Sequence, residues 1–145
     1  MWLRMSLDCR EYPARPVAAV SVLIKSGGKV LLIKRRFDPG SSKWSVPGGL
    51  IELGETVREA ALREVYEETG LTVRLDKLLN VVDYIEMDEK GAIRFHYILI
   101  CFSAYVNGAF SINPSEEVAA VIWVEESEVL SYDITDSLRK LLSVK

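Results

Sequence analysis

Histidine is almost missing from this 145-residue chain, and the one present, His96, leaves histidine-rich zinc sites and most Ser-His catalytic schemes short of parts. Cysteine is equally scarce. Cys9 and Cys101 stand far apart and in no metal-ligand spacing, so neither a disulfide framework nor a cysteine metal site is available. Both read as reduced thiols, Cys101 as a packing residue in a strand. There is no basic excess: the net charge is −3 and the pI about 5.3. That argues against a protein that grips nucleic-acid backbone. A phosphate-containing small molecule stays open, because a metal supplies positive charge locally. No apolar run is long enough to span a bilayer. The opening, Met1 to Pro16, is broken by Arg4, Asp8, Arg10, Glu11 and Arg15 and has no signal-peptide core. A cytoplasmic address with no membrane partner is the default expectation. No G-x-G-x-x-G follows a strand, which excludes the usual dinucleotide fingerprint.

What is present suits one globular domain. Apolar residues make up 49% and charged ones 27%, and the length suffices for a core. An arm over residues 1–16 precedes a domain over 17–143. Val17 to Lys25 reads as a buried strand, Gly27-Gly28 as a turn, and Lys29 to Lys34 as the hairpin partner. Arg35 to Lys43, with Pro39 and Gly40, is a loop. A short strand over Trp44 to Val46 meets a backbone turn at Pro47-Gly48-Gly49. Leu78 to Met87 and Ile93 to Val106 read as strands joined by the turn Asp88 to Gly91, the second covered on both faces near Ile98 to Phe102. Val118 to Val124 is another strand, and short helices are expected over Glu125 to Leu130 and Ile134 to Leu142. The order of elements predicts an α/β sandwich with helices on both faces of a mixed central sheet.

The clearest helix is Val57 to Thr69. Thr56 and Glu59 form a capping box at its start, and Gly70 suits the left-handed residue that ends it. Glu64, Glu67 and Glu68 stand at i, i+3 and i+4, so three carboxylates share one face. Like charges at such spacing cost roughly 0.2–0.5 kcal/mol per pair on an isolated helix. A hard divalent cation offsets that cost, and Mg²⁺ held between carboxylates and substrate phosphates is the common arrangement. Taken alone, three glutamates on one face more often form a solvated surface.

The flanking residues decide the matter. Gly49 leads after five residues to Glu55, and seven more lead to Arg63-Glu64-Val65, then Glu67-Glu68 and Gly70-Leu71. The pattern resembles the Nudix box, G-x5-E-x7-R-E-U-x-E-E-x-G-U with U aliphatic, at every specified position. Pro47-Gly48-Gly49, Trp44, Val46 and the pair Arg35-Arg36 also resemble the family's entry to the box. The likeness extends over roughly Val17 to Leu142.

The resemblance implies a Nudix α/β/α sandwich and Mg²⁺-dependent hydrolysis of a nucleoside diphosphate linked to another moiety, with Mn²⁺ as a substitute ion. It implies Glu64 and Glu68 as carboxylate ligands, Glu67 sharing the metal cluster, the Gly48 carbonyl as a further ligand, and Arg63 orienting the carboxylates. Glu55 braces the loop and helix. The proton acceptor is Glu64 in one family branch and a downstream loop residue in others, here Glu116 or Glu117. Arg35, Arg36 and His96 are candidate substrate contacts, with surface arginines and a packed histidine as the alternative.

The stretch Ile93 to Leu99, the C-terminal Thr135-Asp136-Ser137-Leu138-Arg139 and the opening Tyr12 to Pro16 resemble a compact ADP-ribose pyrophosphatase subgroup. ADP-ribose or ADP-sugars, yielding AMP, are therefore the expected substrates. Met87 stands where larger ADP-ribose hydrolases often carry a proline, and the Ser-Gln-Pro-Trp-Pro-Phe pattern of NADH-cleaving members is absent. A triphosphate-sanitising enzyme of the 8-oxo-dGTP type and a non-catalytic nucleotide-binding module remain the alternatives. Family precedent suggests a homodimer, with the arm Trp2 to Tyr12 either packed across it or forming a tail.

Overall fold

The computed structural model describes residues 10–37, 41–106 and 110–143. Cys9, Pro39, Gly40 and the arm before Arg10 lie outside them. Seven strands form one mixed sheet: β1 (Val17–Ser26), β2 (Lys29–Arg35), β3 (Trp44–Ser45), β4 (Gly48–Leu50), β5 (Arg74–Met87), β6 (Ile93–Tyr105) and β7 (Val118–Glu125). Among the described residues the helices with a full span are α1 (Val57–Thr69) and α2 (Asp136–Leu142), with a 3-10 helix at Glu126–Ser131.

Gly27 and Gly28, with φ of 57° and 80°, make the hairpin turn between β1 and β2. Beyond it the two strands pair only at Lys25–Val30 and Ser26–Lys29 before diverging. β2 continues antiparallel to β7, while β1 runs parallel to β6 along nine residue pairs from Val17–Tyr97 to Lys25–Tyr105. Into the fork comes β4, pairing Ala19 with Leu50 and Ser21 with Gly48. The path β3-β2-β1-β6-β5 leaves β5 at an edge.

Each face of the sheet carries its own core. Ala60, Ala61 and Val65 of α1 pack on Val20, Val22, Phe102 and Ala104. Leu138 and Leu141 of α2 pack on Leu23, Leu32, Val82 and Cys101 from the other side. Cys101 is a buried free thiol. The expected α/β sandwich with a mixed sheet is therefore the fold observed. No helix among the described residues is long and apolar enough to cross a membrane.

Four local expectations need correction. Gly48-Gly49 is a strand rather than a turn, because β1 lends it backbone partners from 27 and 29 residues away in sequence, Ser21 to Gly48 and Val20 to Gly49. β5 begins at Arg74, earlier than Leu78, since register shifts between Leu75 and Asn80 disrupt its alternation. The segment after β7 is a 3-10 turn without a side-chain cap. Coverage of β6 on both faces holds at Cys101 and Phe102 but fails at Ile98, which lies outside the cluster that α1 covers and is exposed.

Candidate functional site

Helix α1 starts with a complete capping box: the Glu59 N–H donates to the Thr56 hydroxyl and the Thr56 N–H to the Glu59 carboxylate. Gly70 closes it with φ of 78°. The fixed helix aims Glu64 and Glu68 at β4, where they are 0% and 1% exposed. Gly49 lies so close to Glu64 that any β-carbon there would overlap its carboxylate. Gly48 is similarly pressed on the Val20 carbonyl, and its N–H donates to Glu68 Oε1 at 3.1 Å. The pair of glycines is thus required by close approach, from β1 on one side and the acidic helix on the other.

Two arginines offset the buried negative charge. Arg63 donates from Nε and Nη2 to both Glu55 oxygens at 2.6 and 2.9 Å, and from Nη1 to Glu64 Oε2 at 2.8 Å and Glu67 Oε1 at 3.3 Å. It also reaches the Leu50 carbonyl, tying the loop, β4 and the helix into one unit. Glu55 in turn accepts from the Glu52 N–H. Arg35, at the end of β2, donates to Glu68 at 2.9 Å and to the Gly48 carbonyl at 3.1 Å.

Burial, and then repulsion from Glu68, pushes the Glu64 carboxyl up to about 7. Burial likewise raises Glu68, with Arg35 opposing it. The Arg63 bonds hold Glu55 below its ordinary range. These shifts describe a site with a surplus of desolvated carboxylate.

The loop before β7 is fastened to the end of α1. The Asn113 N–H donates to the Thr69 carbonyl at 2.7 Å and the Ser115 N–H to the Glu68 carbonyl at 3.1 Å. Glu117 is then only 6% exposed, and its charge acts on Glu68. Glu116 is exposed, and its carbonyl takes the Arg36 Nε at 2.8 Å. Arg36 also reaches the Val118 carbonyl, so its side chain serves the loop. His96 alternates with Phe95 and Tyr97 along β6 and points to the opposite face. The structure therefore gathers Gly48, Glu64, Glu68, Arg35, Arg63 and Glu117, keeps Glu67 at the rim, and ties Arg36 to the backbone of Glu116 and Val118, while His96 lies on the face of β6 opposite Tyr97.

Beside Arg35 and Gly48 lies a cavity of about 60 Å³, also lined by Tyr84, Tyr97, Thr135 and Ser137. A groove of about 550 Å³ shares Tyr84, Thr135 and Ser137 with it and continues past Lys43, Arg139 and Lys140. Sequence reasoning missed Tyr84 and Tyr97. Strand alternation separates Tyr97 from His96 but does not say which of them faces the site.

Among the described residues, no three His, Cys, Asp or Glu side chains converge into a metal cage. Two carboxylates and the Gly48 carbonyl are nonetheless a hard-oxygen donor set. It suits a divalent cation of the kind that completes its shell with phosphate oxygens and water. Each carboxylate also keeps acceptor capacity beyond its arginine bond. The residues fit the group.

The NUDIX domain model matches residues 14–143. An ADP-ribose pyrophosphatase of Methanocaldococcus jannaschii is 42% identical over 103 residues, covering 70% of this chain; the chain spans 59% of that relative's length. The nucleoside triphosphatase NudI of Escherichia fergusonii is 31% identical over 136 residues, covering 87% of this chain and 94% of its own. A crystal structure of a MutT NUDIX hydrolase from Burkholderia pseudomallei superposes with a TM-score of 0.74 at 28% identity, covering 88% of this chain and 96% of the other. An intact box on the matching fold, with its glycines and glutamates in contact, leaves one assignment: the chain belongs to the Nudix hydrolase family.

Proposed function

We propose that this protein hydrolyses the diphosphate of ADP-ribose or a related ADP-sugar, in a Mg²⁺-dependent reaction yielding AMP and a sugar phosphate. The observation that carries the reading is the closure of Glu64 and Glu68 onto Gly48-Gly49, which sets two buried carboxylates and a carbonyl beside a cavity. When bound, the cation neutralises diphosphate oxygens and lowers the pKa of the attacking water. Glu64, Glu68 and the Gly48 carbonyl would hold it, with Glu67 at the rim and Mn²⁺ as a substitute. Arg63 keeps Glu64 in place through a fork shared with Glu55. Arg35 does the same for Glu68 and borders the cavity.

Glu117 is the proton acceptor in this reading. It is the loop carboxylate turned toward Glu68, whereas Glu116 faces solvent. Tyr84 and Tyr97 offer aromatic surface to the nucleoside, and the hydroxyls of Thr135 and Ser137 suit a ribose. The pyrophosphatase relative supports the ADP-ribose choice. The triphosphatase relative, which the chain covers more fully, supports a second reading in which a nucleoside triphosphate is cleaved to a monophosphate and pyrophosphate. Chromatography of products from a panel of ADP-ribose, ADP-sugars and nucleoside triphosphates separates the two. AMP with ribose 5-phosphate supports the first; pyrophosphate from triphosphates alone supports the second.

A cytoplasmic homodimer completes the proposal. Edge strand β5 exposes Leu78, Val81, Ile85 and Met87, a stripe that pairing with a second copy would cover. Light scattering that reads a monomer at micromolar concentration would sink the dimer.

A further inference from the structure

Ser115 opens a β-turn: its carbonyl accepts the Val118 N–H at 3.1 Å, which makes Glu116 and Glu117 the two central residues. Serine suits the first position of such a turn, because its hydroxyl bonds to backbone two residues on. Here the Glu117 N–H donates to the Ser115 hydroxyl at 3.3 Å. The other side of the turn is held by the end of β2. Across the Lys34–Arg35 step the pairing with β7 passes from Ala120 to Val118, so β7 carries one extra residue there. Bulges of this kind are common beside active sites, where they re-aim the chain. In the shifted register the Arg36 N–H meets the Glu117 carbonyl at 2.9 Å.

The Arg36 side chain then spans the turn. Its Nε donates to the Glu116 carbonyl at 2.8 Å and its Nη2 to the Val118 carbonyl at 3.4 Å. One residue thus holds three successive carbonyls, those of Glu116, Glu117 and Val118. Arg36 itself is exposed, whereas the Glu117 that it frames is buried. Bonds from an exposed guanidinium add little to stability, since water competes for the same donors. Their geometric effect is larger, because the backbone on both sides of Glu117 is fixed. The preceding residue, Arg35, holds the Glu68 carboxylate, and the Glu68 carbonyl takes the Ser115 N–H at 3.1 Å. Consecutive arginines at the end of β2 therefore brace Glu68 through its side chain and Glu117 through its backbone.

We propose that Arg36 is a positioning residue for the hydrolytic step, which supports kcat by clamping the turn that carries Glu117 against the Glu68 side of the site. The inference rests on Glu117 as proton acceptor, as read above, and holds for either class of nucleotide. It replaces the substrate contact expected of Arg36 from the family resemblance with a role exerted through another residue.

The test measures kcat and KM with Mg²⁺ for Arg36→Ala and Arg36→Lys, each made in the wild type and in Glu117→Gln. The substrate is whichever of ADP-ribose or a nucleoside triphosphate the wild type cleaves. Arg36→Ala is expected to lower kcat about tenfold through misplacement of Glu117, with KM within about twofold. Arg36→Lys, which keeps one donor for the carbonyls, recovers part of that loss. In Glu117→Gln the further change Arg36→Ala leaves kcat within about twofold, because residues acting as a unit are not additive. A raised KM with unchanged kcat overturns the inference and makes Arg36 a substrate contact. An unchanged kcat overturns it whether or not the melting temperature falls. Equal losses of kcat in both backgrounds overturn it as well, since the effect then bypasses Glu117. Should Arg36→Ala fail to fold, Arg36→Lys is scored by the same comparison of backgrounds. Normal turnover in Glu117→Gln, or a wild type that cleaves neither substrate, refutes the underlying reading and the inference together. A slow Glu117→Gln beside an unaffected Arg36→Ala refutes the inference alone.

Discussion

Gly49 and Glu64 occupy adjoining space so tightly that a single methyl group on Gly49 would overlap the Glu64 carboxylate. The neighbouring Gly48 is pressed instead on the backbone of β1, where an added β-carbon would stand 2.9 Å from the Ser21 Cα and nearer still to the Val20 carbonyl. The difference in what each glycine touches gives different outcomes for two similar substitutions. A carboxylate at the end of a side chain yields by rotating; sheet backbone does not. Gly49→Ala is expected to fold with a modest loss of stability, yet to lose most activity because Glu64 is displaced. Gly48→Ala is expected to cost about 1–3 kcal/mol of stability, as overpacking in a closed interior does. Thermal melts run beside kcat measurements check both.

Arg63 joins Glu55, Glu64 and Glu67. Arg63→Ala leaves the buried Glu64 carboxylate without that partner and is expected to lower stability by about 3 kcal/mol, the lower end for breaking a buried pair. The lower end applies because 19% of the Arg63 side chain remains exposed and is screened by solvent. Arg63→Lys keeps the charge but not the fork, and should recover less than half of the loss. Urea unfolding of the three proteins measures this directly.

The two loop glutamates differ in placement. Glu117 is buried beside Glu68, and Glu116 faces solvent. Glu117→Gln is expected to reduce kcat by roughly 10²–10⁴-fold, the usual contribution of a general base. Glu116→Gln should remain within about twofold of wild type. Normal turnover in both variants rules out the loop base and returns the role to Glu64.

Glu55 sets an acid limb on stability. Hydrogen bonds from Arg63 hold its folded-state pKa below the ordinary 4.5. A carboxyl with a depressed folded pKa adds stability that is present above its unfolded value and is lost as pH falls through the folded one. The stability gap between wild type and Glu55→Gln is therefore expected to be full above about pH 5 and to shrink as the pH drops below 4.5. Melting curves across pH 3–7 show it, and a gap independent of pH refutes the assignment.

Much of this fold is local in origin and so is written in short stretches of sequence. Thr56 with Glu59, Gly70 after Thr69, and Gly27-Gly28 between two apolar runs each state their structure within a few residues. β4 does not: Gly48-Gly49-Leu50 is a strand only because β1 has open backbone partners in the fork left by β2. The site divides in the same way. Spacing along α1 puts Glu64 and Glu68 on one face, because helix periodicity is local. The choice between Glu116 and Glu117 depends on how Asn113 and Ser115 fasten the loop to the end of α1. Tyr97 reaches the cavity through sheet register, which has no short-range signature.

The most direct test of the account is the product pattern from ADP-ribose. With Mg²⁺, the protein should release AMP and ribose 5-phosphate in equal amounts, and EDTA should abolish both. Inert ADP-ribose, with nucleoside triphosphates alone cleaved to a monophosphate and pyrophosphate, would contradict it.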